Sequence, residues 1–229
     1  MACMRPGRAL AHSKARMKTI PTPDTSRRNF LLTAMGAAGL VATPDLARAQ
    51  DPRVVLDAAV LNFLLRIEYV QAELYREGLN DFTTAARIRQ FDIYGGQPTI
   101  DTLRSFAEQE REHIEALRSL VTRLGMTPLP QCTVTFPRFD TATELMQLAF
   151  AIENVGVSAY LGVTALLRIP QVQTGVAAIA SVQSRHAAYV GLLNGQSPAP
   201  AAADTPRSRD EILALLDPYI GRCSDTPAQ

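Results

Sequence analysis

The chain has 229 residues, of which 47% are hydrophobic, and it contains 13 glycines and 15 prolines. This composition supplies enough apolar side chains for one sizeable core and excludes a disordered chain. The formal net charge of +1 averages two unlike parts, because the sequence after residue 49 holds fifteen arginines, no lysine and twenty acidic residues. A mildly acidic body without a basic cluster argues against nucleic acid as a partner.

The basic N-terminal part has the layout of an export signal. Arg27 and Arg28 precede a short apolar run, and a small-residue cleavage pattern ends at Ala49. This layout resembles a twin-arginine signal spanning 1–49, with cleavage after Ala49 and a periplasmic or otherwise extracytoplasmic destination. The twin-arginine export machinery is therefore an expected partner. The apolar run is shorter than the ~20 residues that a membrane-spanning helix needs, so no stable membrane span is expected.

Four long amphipathic helices are predicted after the signal, in a bundle at 50–195. Apolar spacing and capping residues place them at 53–79, 98–124, 141–167 and 170–193. Residues 81–97 form a loop with room for a brief helix. The proline-containing connection at 126–140 predicts a long crossover between the second and third helices. An Ala/Pro-rich linker then leads to a last short helix at 208–220, within a C-terminal segment of 196–229. No strand of any length is predicted, although 132–136 is β-prone.

Residues that commonly bind metals fall at matching positions in the second and fourth helices. His113 and His186 are the two histidines after residue 49. Glu110 precedes the first by three residues, and Gln183 precedes the second by three residues. This spacing places both members of each pair on one helix face.

The first and third helices repeat a second pattern. Glu68 and Glu153 each lie inside an apolar stripe, and each is followed seven residues later by a tyrosine, Tyr75 or Tyr160. Each half of the chain thus gives a Glu and then Glu-x-x-His or Gln-x-x-His. Any one of these residues alone could be an ordinary surface or core residue. The joint repeat is hard to obtain from generic core packing.

With this pattern the chain resembles the ferritin-like superfamily, in which such residues on four helices hold a di-iron or di-manganese centre. The sequence segments around Glu153 and His186 are similar to those of exported ferritin-like proteins related to plant desiccation-associated proteins. The resemblance implies an all-α, ferritin-like four-helix bundle with one or two Fe or Mn ions. It implies that Tyr75 and Tyr160 lie beside the site as hydrogen-bond donors or radical traps. The implied ligands are Glu68, Glu110, His113, Glu153 and His186.

Gln183 departs from the family pattern, which has a glutamate there. Three carboxylates do not balance two divalent ions, so we expect fewer than two ions per chain and a higher occupancy in Gln183→Glu. Two functions stay open. One is an iron- or manganese-binding protein that oxidises metal or handles peroxide. The alternative is a non-enzymatic stress-related or envelope protein with a degenerate site, and the oligomeric state is open as well.

Two cysteines, Cys132 and Cys223, follow the signal. An even pair in an exported protein favours a disulfide over a redox motif. Such a bond would join the crossover to the C-terminal tail and pin the last helix onto the bundle.

Overall fold

The computed structural model describes residues 51–223, so the predicted signal peptide with Arg27, Arg28 and Ala49 lies outside the described residues. Four long helices dominate this part of the chain. They are α1 (Pro52–Asn80), α3 (Gln97–Arg123), α4 (Ala142–Thr164) and α5 (Pro170–Leu193). The all-α bundle expected from the sequence is confirmed.

Local sequence signals explain where the helices begin. The Asp51 side chain accepts from the backbone N–H of Arg53 and caps α1. Thr141 and Glu144 form a capping box at the start of α4, which satisfies two backbone donors reciprocally. Pro170 opens α5 at a position where its missing N–H costs nothing.

Shorter elements fill the connections. Between α1 and α3 lie α2 (Ala85–Ile88) and a 3₁₀ helix (Arg89–Tyr94). Helix α6 (Arg209–Leu216) follows the linker. Strands β1 (Cys132–Val134) and β2 (Ile220–Cys223) pair antiparallel. The expectation of no strand was therefore wrong, and the predicted last helix at 208–220 was too long.

The long helices pack most closely in the pairs α1 with α3 and α4 with α5, and α1 also packs on α4. Packing between α3 and α5 is sparse. Tertiary packing of apolar faces, rather than propensity, stabilises helices of this kind. The largest fully buried side chains include Tyr69, Tyr75, Tyr160, Phe82, Phe91 and Leu61.

Two contacts between distant residues fix the helix ends and the linker. The Asp57 carboxylate in α1 is fully buried and accepts from the backbone N–H groups of Arg168 and Ile169 at 2.8 and 2.9 Å. These donors precede the first turn of α5, where backbone groups lack helical partners. The backbone N–H of Arg207 donates to the Ser158 carbonyl at 3.1 Å and holds the linker against α4. Gly162 permits this approach, because a Cβ there would lie 2.0 Å from the Arg207 carbonyl oxygen.

A disulfide joins Cys132 in β1 to Cys223 in β2, across 91 residues of sequence. The same two residues are paired in the β ladder. The structure thus attaches the C-terminal segment to the crossover, as the cysteine pairing expected from the sequence requires. Between residues 51 and 223, no helix is both long and apolar enough to cross a membrane.

Candidate metal centre

Six polar side chains meet inside the bundle. All are buried, with exposures between 0% and 2%, although carboxylates and imidazoles are rarely buried without partners. The structure brings together every ligand position expected from the sequence, one from each of α1 and α4 and two from each of α3 and α5. The six are Glu68, Glu110, His113, Glu153, Gln183 and His186.

The first half of the cluster is built on His113. Its Nδ1 lies 2.9 Å from Glu110 Oε2, across one helical turn of α3, and 3.2 Å from Glu68 Oε2 on α1. The i, i+3 spacing on α3 brings the first pair together, and the packing of α1 on α3 brings in the third residue. These three residues, the His113 triad, can each offer one ligand atom within 4.8 Å of the others.

The second half is built on His186. Its Nδ1 lies 2.7 Å from Glu110 Oε1, and 4.0 Å from Glu153 Oε2. Glu110, Glu153 and His186 form a second group of three, the His186 triad, within the same 4.8 Å limit. Glu110 belongs to both triads and offers one oxygen to each histidine. It could therefore offer an oxygen to an ion held by either triad.

The two repeated tyrosines donate hydrogen bonds to the glutamates of the opposite helix. Tyr75 on α1 donates to Glu153 Oε1 at 2.6 Å, and Tyr160 on α4 donates to Glu68 Oε1. Because residue 75 lies beside 153 and residue 160 lies beside 68, α1 and α4 run antiparallel here. The donors expected beside the site are thus present, and each orients a carboxylate.

Sequence reasoning missed Gln71. It is fully buried on α1, and its Nε2 donates to Glu153 Oε2 at 3.0 Å and to Gln183 Oε1 at 2.9 Å. Its position three residues after Glu68 was an available signal, because that spacing places both on one helix face. The Gln183 Nε2, which carries two N–H groups, lies 3.1 Å from each of three acceptors, Glu68 Oε1, Gln71 Oε1 and Glu110 Oε2.

Gln109 and Phe106 of α3 were also missed, and both contact His186. Gln109 is half-buried on the sparsely packed side between α3 and α5, and its Oε1 lies 3.0 Å from His186 Nε2. The Phe106 ring stacks on the imidazole at a centroid distance of 3.9 Å. Because the Gln109 oxygen accepts from Nε2, the His186 nitrogen that faces the cluster is Nδ1.

Burial and mutual contact set the charges in the metal-free cluster. Burial raises the pKa of Glu68 to about 7 and raises the pKa of Glu153 well above its usual range. Burial opposes the ionisation of Glu110 as well, but hydrogen bonds and charge from both histidines outweigh it and hold its pKa well below its usual range.

The pKa of His113 moves in the opposite sense to that of a buried, isolated histidine. Burial disfavours its charged form, but the nearby Glu68 and Glu110 carboxylates outweigh burial and raise its pKa to about 10. Without a metal, His113 therefore holds a proton at neutral pH, and burial favours the protonated form of Glu153. A metal ion would displace such protons, since its ligands bind in their deprotonated forms.

The donor set fits a hard to intermediate divalent metal ion. The cluster offers three carboxylates in all, and each triad contains one imidazole. Such oxygen-rich sites suit Fe or Mn, whereas Zn or Cu sites are richer in sulfur or nitrogen. The side chains of each triad lie close enough to one another to hold an ion. Gln183 contributes a neutral amide in place of a fourth carboxylate, so the whole cluster carries less negative charge than two divalent ions need.

A four-helix bundle whose interior holds a carboxylate and histidine cluster defines a class of helical metal-centre proteins. A family model described as "Ferritin-like domain" matches residues 56–196. This match covers all four long helices and both triads, and the chain belongs to the ferritin-like domain family. No curated protein matches the sequence.

Proposed function

We propose that this protein binds Fe or Mn at the buried cluster and uses it for metal oxidation or peroxide removal. The single observation that carries the proposal is Glu110, a fully buried carboxylate that offers one oxygen to each of two histidines. A buried, shared carboxylate is costly unless cations or several donors compensate it. A bound metal ion would supply that compensation.

In this proposal Glu68, Glu110 and His113 hold an ion, with Glu153, His186 and Gln183 beside it. A bound Fe or Mn ion would supply the redox chemistry. The protein residues orient and protect the site. Tyr75 and Tyr160 each fix one glutamate, and burial raises the pKa of both hydroxyls well above the usual value, so they stay protonated donors. The apolar core around the cluster keeps bulk water away from it.

The test is metal content. Glu110→Ala with His113→Ala should abolish bound Fe and Mn, measured by elemental mass spectrometry, while the helical circular dichroism signal stays largely intact. Glu108→Ala with Glu115→Ala is the matched control, because both glutamates lie exposed on the same helix. Metal content that is equal in the two double variants would reject this site.

A second candidate function is a non-enzymatic bundle in which hydrogen bonds replace the metal. It is favoured by Gln183 and by the finding that, within residues 51–223, every buried side-chain nitrogen and oxygen has a hydrogen-bond partner. Such a protein would serve as a stress-related or envelope module. It predicts that a chelator leaves the thermal midpoint of natively purified protein unchanged, whereas a metal-loaded protein would lose stability.

We further propose that the chain is exported by the twin-arginine route. The support is the sequence layout around Arg27, Arg28 and Ala49, together with the Cys132–Cys223 disulfide, since such bonds persist in oxidising compartments. Replacing both arginines by lysine should retain the protein in the cytoplasm, as measured by cell fractionation. Normal export of that variant would exclude the twin-arginine route.

A further inference from the structure

The internal repeat of the chain is broken at two positions within the cluster. Glu68 and Tyr75 of α1 correspond to Glu153 and Tyr160 of α4, and the same alignment pairs Gln71 with Gly156. Between α3 and α5, the corresponding break is Glu110 against Gln183. A symmetric centre would have the same residue types on both sides.

The two departures contact each other. Gln71 Nε2 donates to Gln183 Oε1 at 2.9 Å, and Gln183 Nε2 donates back to Gln71 Oε1 at 3.1 Å. The result is a closed pair of amides, here called the amide pair. Each amide satisfies one donor and one acceptor of the other, and the second N–H of each amide is left to donate to the glutamates of the cluster.

Gly156 provides the space that Gln71 occupies. A Cβ at position 156 would lie 2.6 Å from Gln71 Nε2, closer than packed atoms approach. The glycine is therefore the steric counterpart of the glutamine. The side chain of Gln71 reaches across from α1 to contact α4 because α4 has no side chain at this point.

The amide pair acts unequally on the two triads. In the His186 triad, Glu153 accepts from the Tyr75 hydroxyl through Oε1 and from the Gln71 amide through Oε2. Its Oε2 is also 4.0 Å from His186 Nδ1. Both oxygens of Glu153 are thus occupied by hydrogen bonds from α1, and Oε2 lies beyond hydrogen-bond distance of His186 Nδ1.

The His113 triad is arranged differently. Tyr160 and Gln183 both donate to the same oxygen of Glu68, Oε1, and Gln183 also contacts Glu110 Oε2 at 3.1 Å. Oε2 of Glu68 is left facing His113 Nδ1 at 3.2 Å, and Glu110 Oε2 lies 2.9 Å from the same nitrogen. The three residues can each offer a ligand atom to the same ion. Two carboxylates and a neutral imidazole also balance the charge of one divalent cation.

We propose that Gln71, which packs against Gly156, limits the buried cluster to one ion. The His113 triad binds a single divalent ion, and the amide pair keeps the His186 triad from binding a second one. The inference rests on the proposed metal binding and adds the stoichiometry and the residue that sets it. Gln71 is a specificity-determining residue for ion number, acting through Glu153 and Gln183.

The test is Mn(II) binding to the purified protein, followed by equilibrium dialysis with elemental analysis and by electron paramagnetic resonance. We expect one Mn(II) per wild-type chain, with the six-line spectrum of an isolated ion. Glu68→Gln should weaken binding at least about 100-fold, whereas its repeat counterpart Glu153→Gln should weaken it less than about tenfold. Both substitutions keep the side-chain volume, so folding is preserved for the comparison.

A second variant, designed to gain an ion, combines Gln71→Ala with Gln183→Glu. It removes the amide pair and restores the fourth carboxylate. We expect two Mn(II) ions per chain and a spin-coupled spectrum, with a smaller gain for Gln183→Glu alone. Two ions in the wild type, or equal losses in Glu68→Gln and Glu153→Gln, would overturn the inference and leave metal binding intact. No bound Mn(II) in the wild type and in the double variant alike would instead reject the proposed function.

Discussion

At the scale of single residues, hydrogen-bond donors determine how the buried glutamates are tolerated. Glu153 accepts from Tyr75 and Gln71, and Glu68 accepts from Tyr160 and Gln183. A buried carboxyl group without such donors would keep its full desolvation penalty. The same donors fix the directions of the carboxylate oxygens, which a metal site needs before any ion arrives.

Removing one tyrosine hydroxyl tests this role. Tyr75→Phe should lower the free energy of unfolding of the metal-free protein by about 1–3 kcal/mol, because Glu153 Oε1 loses its donor inside the bundle. Urea unfolding in the presence of a chelator measures it. The matched control is Tyr94→Phe, whose hydroxyl donates to Thr143 at a half-buried position and whose loss should cost less than about 1 kcal/mol. Equal losses in the two variants would contradict this role.

The shifted pKa values predict how stability depends on pH. The pKa of Glu68 is raised to about 7 and that of His113 to about 10, so both groups hold their protons more tightly in the folded protein. Between about pH 5 and pH 9 the folded state therefore binds more protons than the unfolded state, and the free energy of unfolding falls as pH rises. The lowered pKa of Glu110 has the opposite effect, but only at lower pH.

Urea unfolding of chelator-treated protein at several pH values within that range measures this dependence. Glu68→Gln should make stability depend less on pH in the lower half of this range, because the variant removes the carboxyl group that titrates there. A stability that rises with pH would show that these groups do not hold protons as described. Metal affinity should change in the opposite sense and increase with pH, since binding releases the same protons.

At the scale of the helices, buried side chains satisfy the ends of neighbouring elements. Asp57 of α1 accepts from two backbone N–H groups just before α5, whose residue numbers differ from its own by 111 and 112. It therefore fixes the angle at which α5 leaves the connection after α4. That angle decides whether Gln183 and His186 face the cluster.

Asp57→Ala should destabilise the protein by about 1–3 kcal/mol, because two partly buried N–H groups lose their acceptor. The matched control is Asp51→Ala, which removes the cap of α1 and should cost less than Asp57→Ala. Hydrogen exchange of the first turn of α5 distinguishes the two variants, since only Asp57→Ala should accelerate it. Unchanged exchange there would show that Asp57 does not support α5.

At the scale of the whole molecule, the C-terminal segment closes the fold. Ile212 and Leu216 of α6 are fully buried, the linker is bound to α4 at Ser158, and β2 pairs with β1. The disulfide then joins the two strands across 91 residues. A bond that closes so long a loop restricts the unfolded chain strongly in the chain-entropy model.

Cys132→Ser with Cys223→Ser should therefore lower the free energy of unfolding by up to about 4 kcal/mol. Urea unfolding with and without reductant provides the control, because reductant should destabilise the wild type and leave the double variant unchanged. Two free thiols in exported wild-type protein, detected by mass spectrometry, would contradict the disulfide.

The sequence by itself determined the helices and the positions of the expected ligands. Thr141, Glu144 and Pro170 mark helix starts through local hydrogen bonds and backbone geometry, which depend on neighbouring residues alone. The spacing of Glu110 and His113 is equally local, because one helical turn places them together wherever the helix lies. The repeat of Glu and Tyr then predicted which helices share a centre.

The tertiary structure alone decided which side chains meet across helices. Gln71 belongs to the cluster because α4 has a glycine opposite it, and Asp57 supports α5 from a helix far away in sequence. Strand β2 shows the same dependence on distant contacts. The pattern through Ile220 predicts helix, but pairing with β1 makes this residue the start of a strand. Such outcomes depend on partners distant in sequence, whose contacts outweigh weak local preferences.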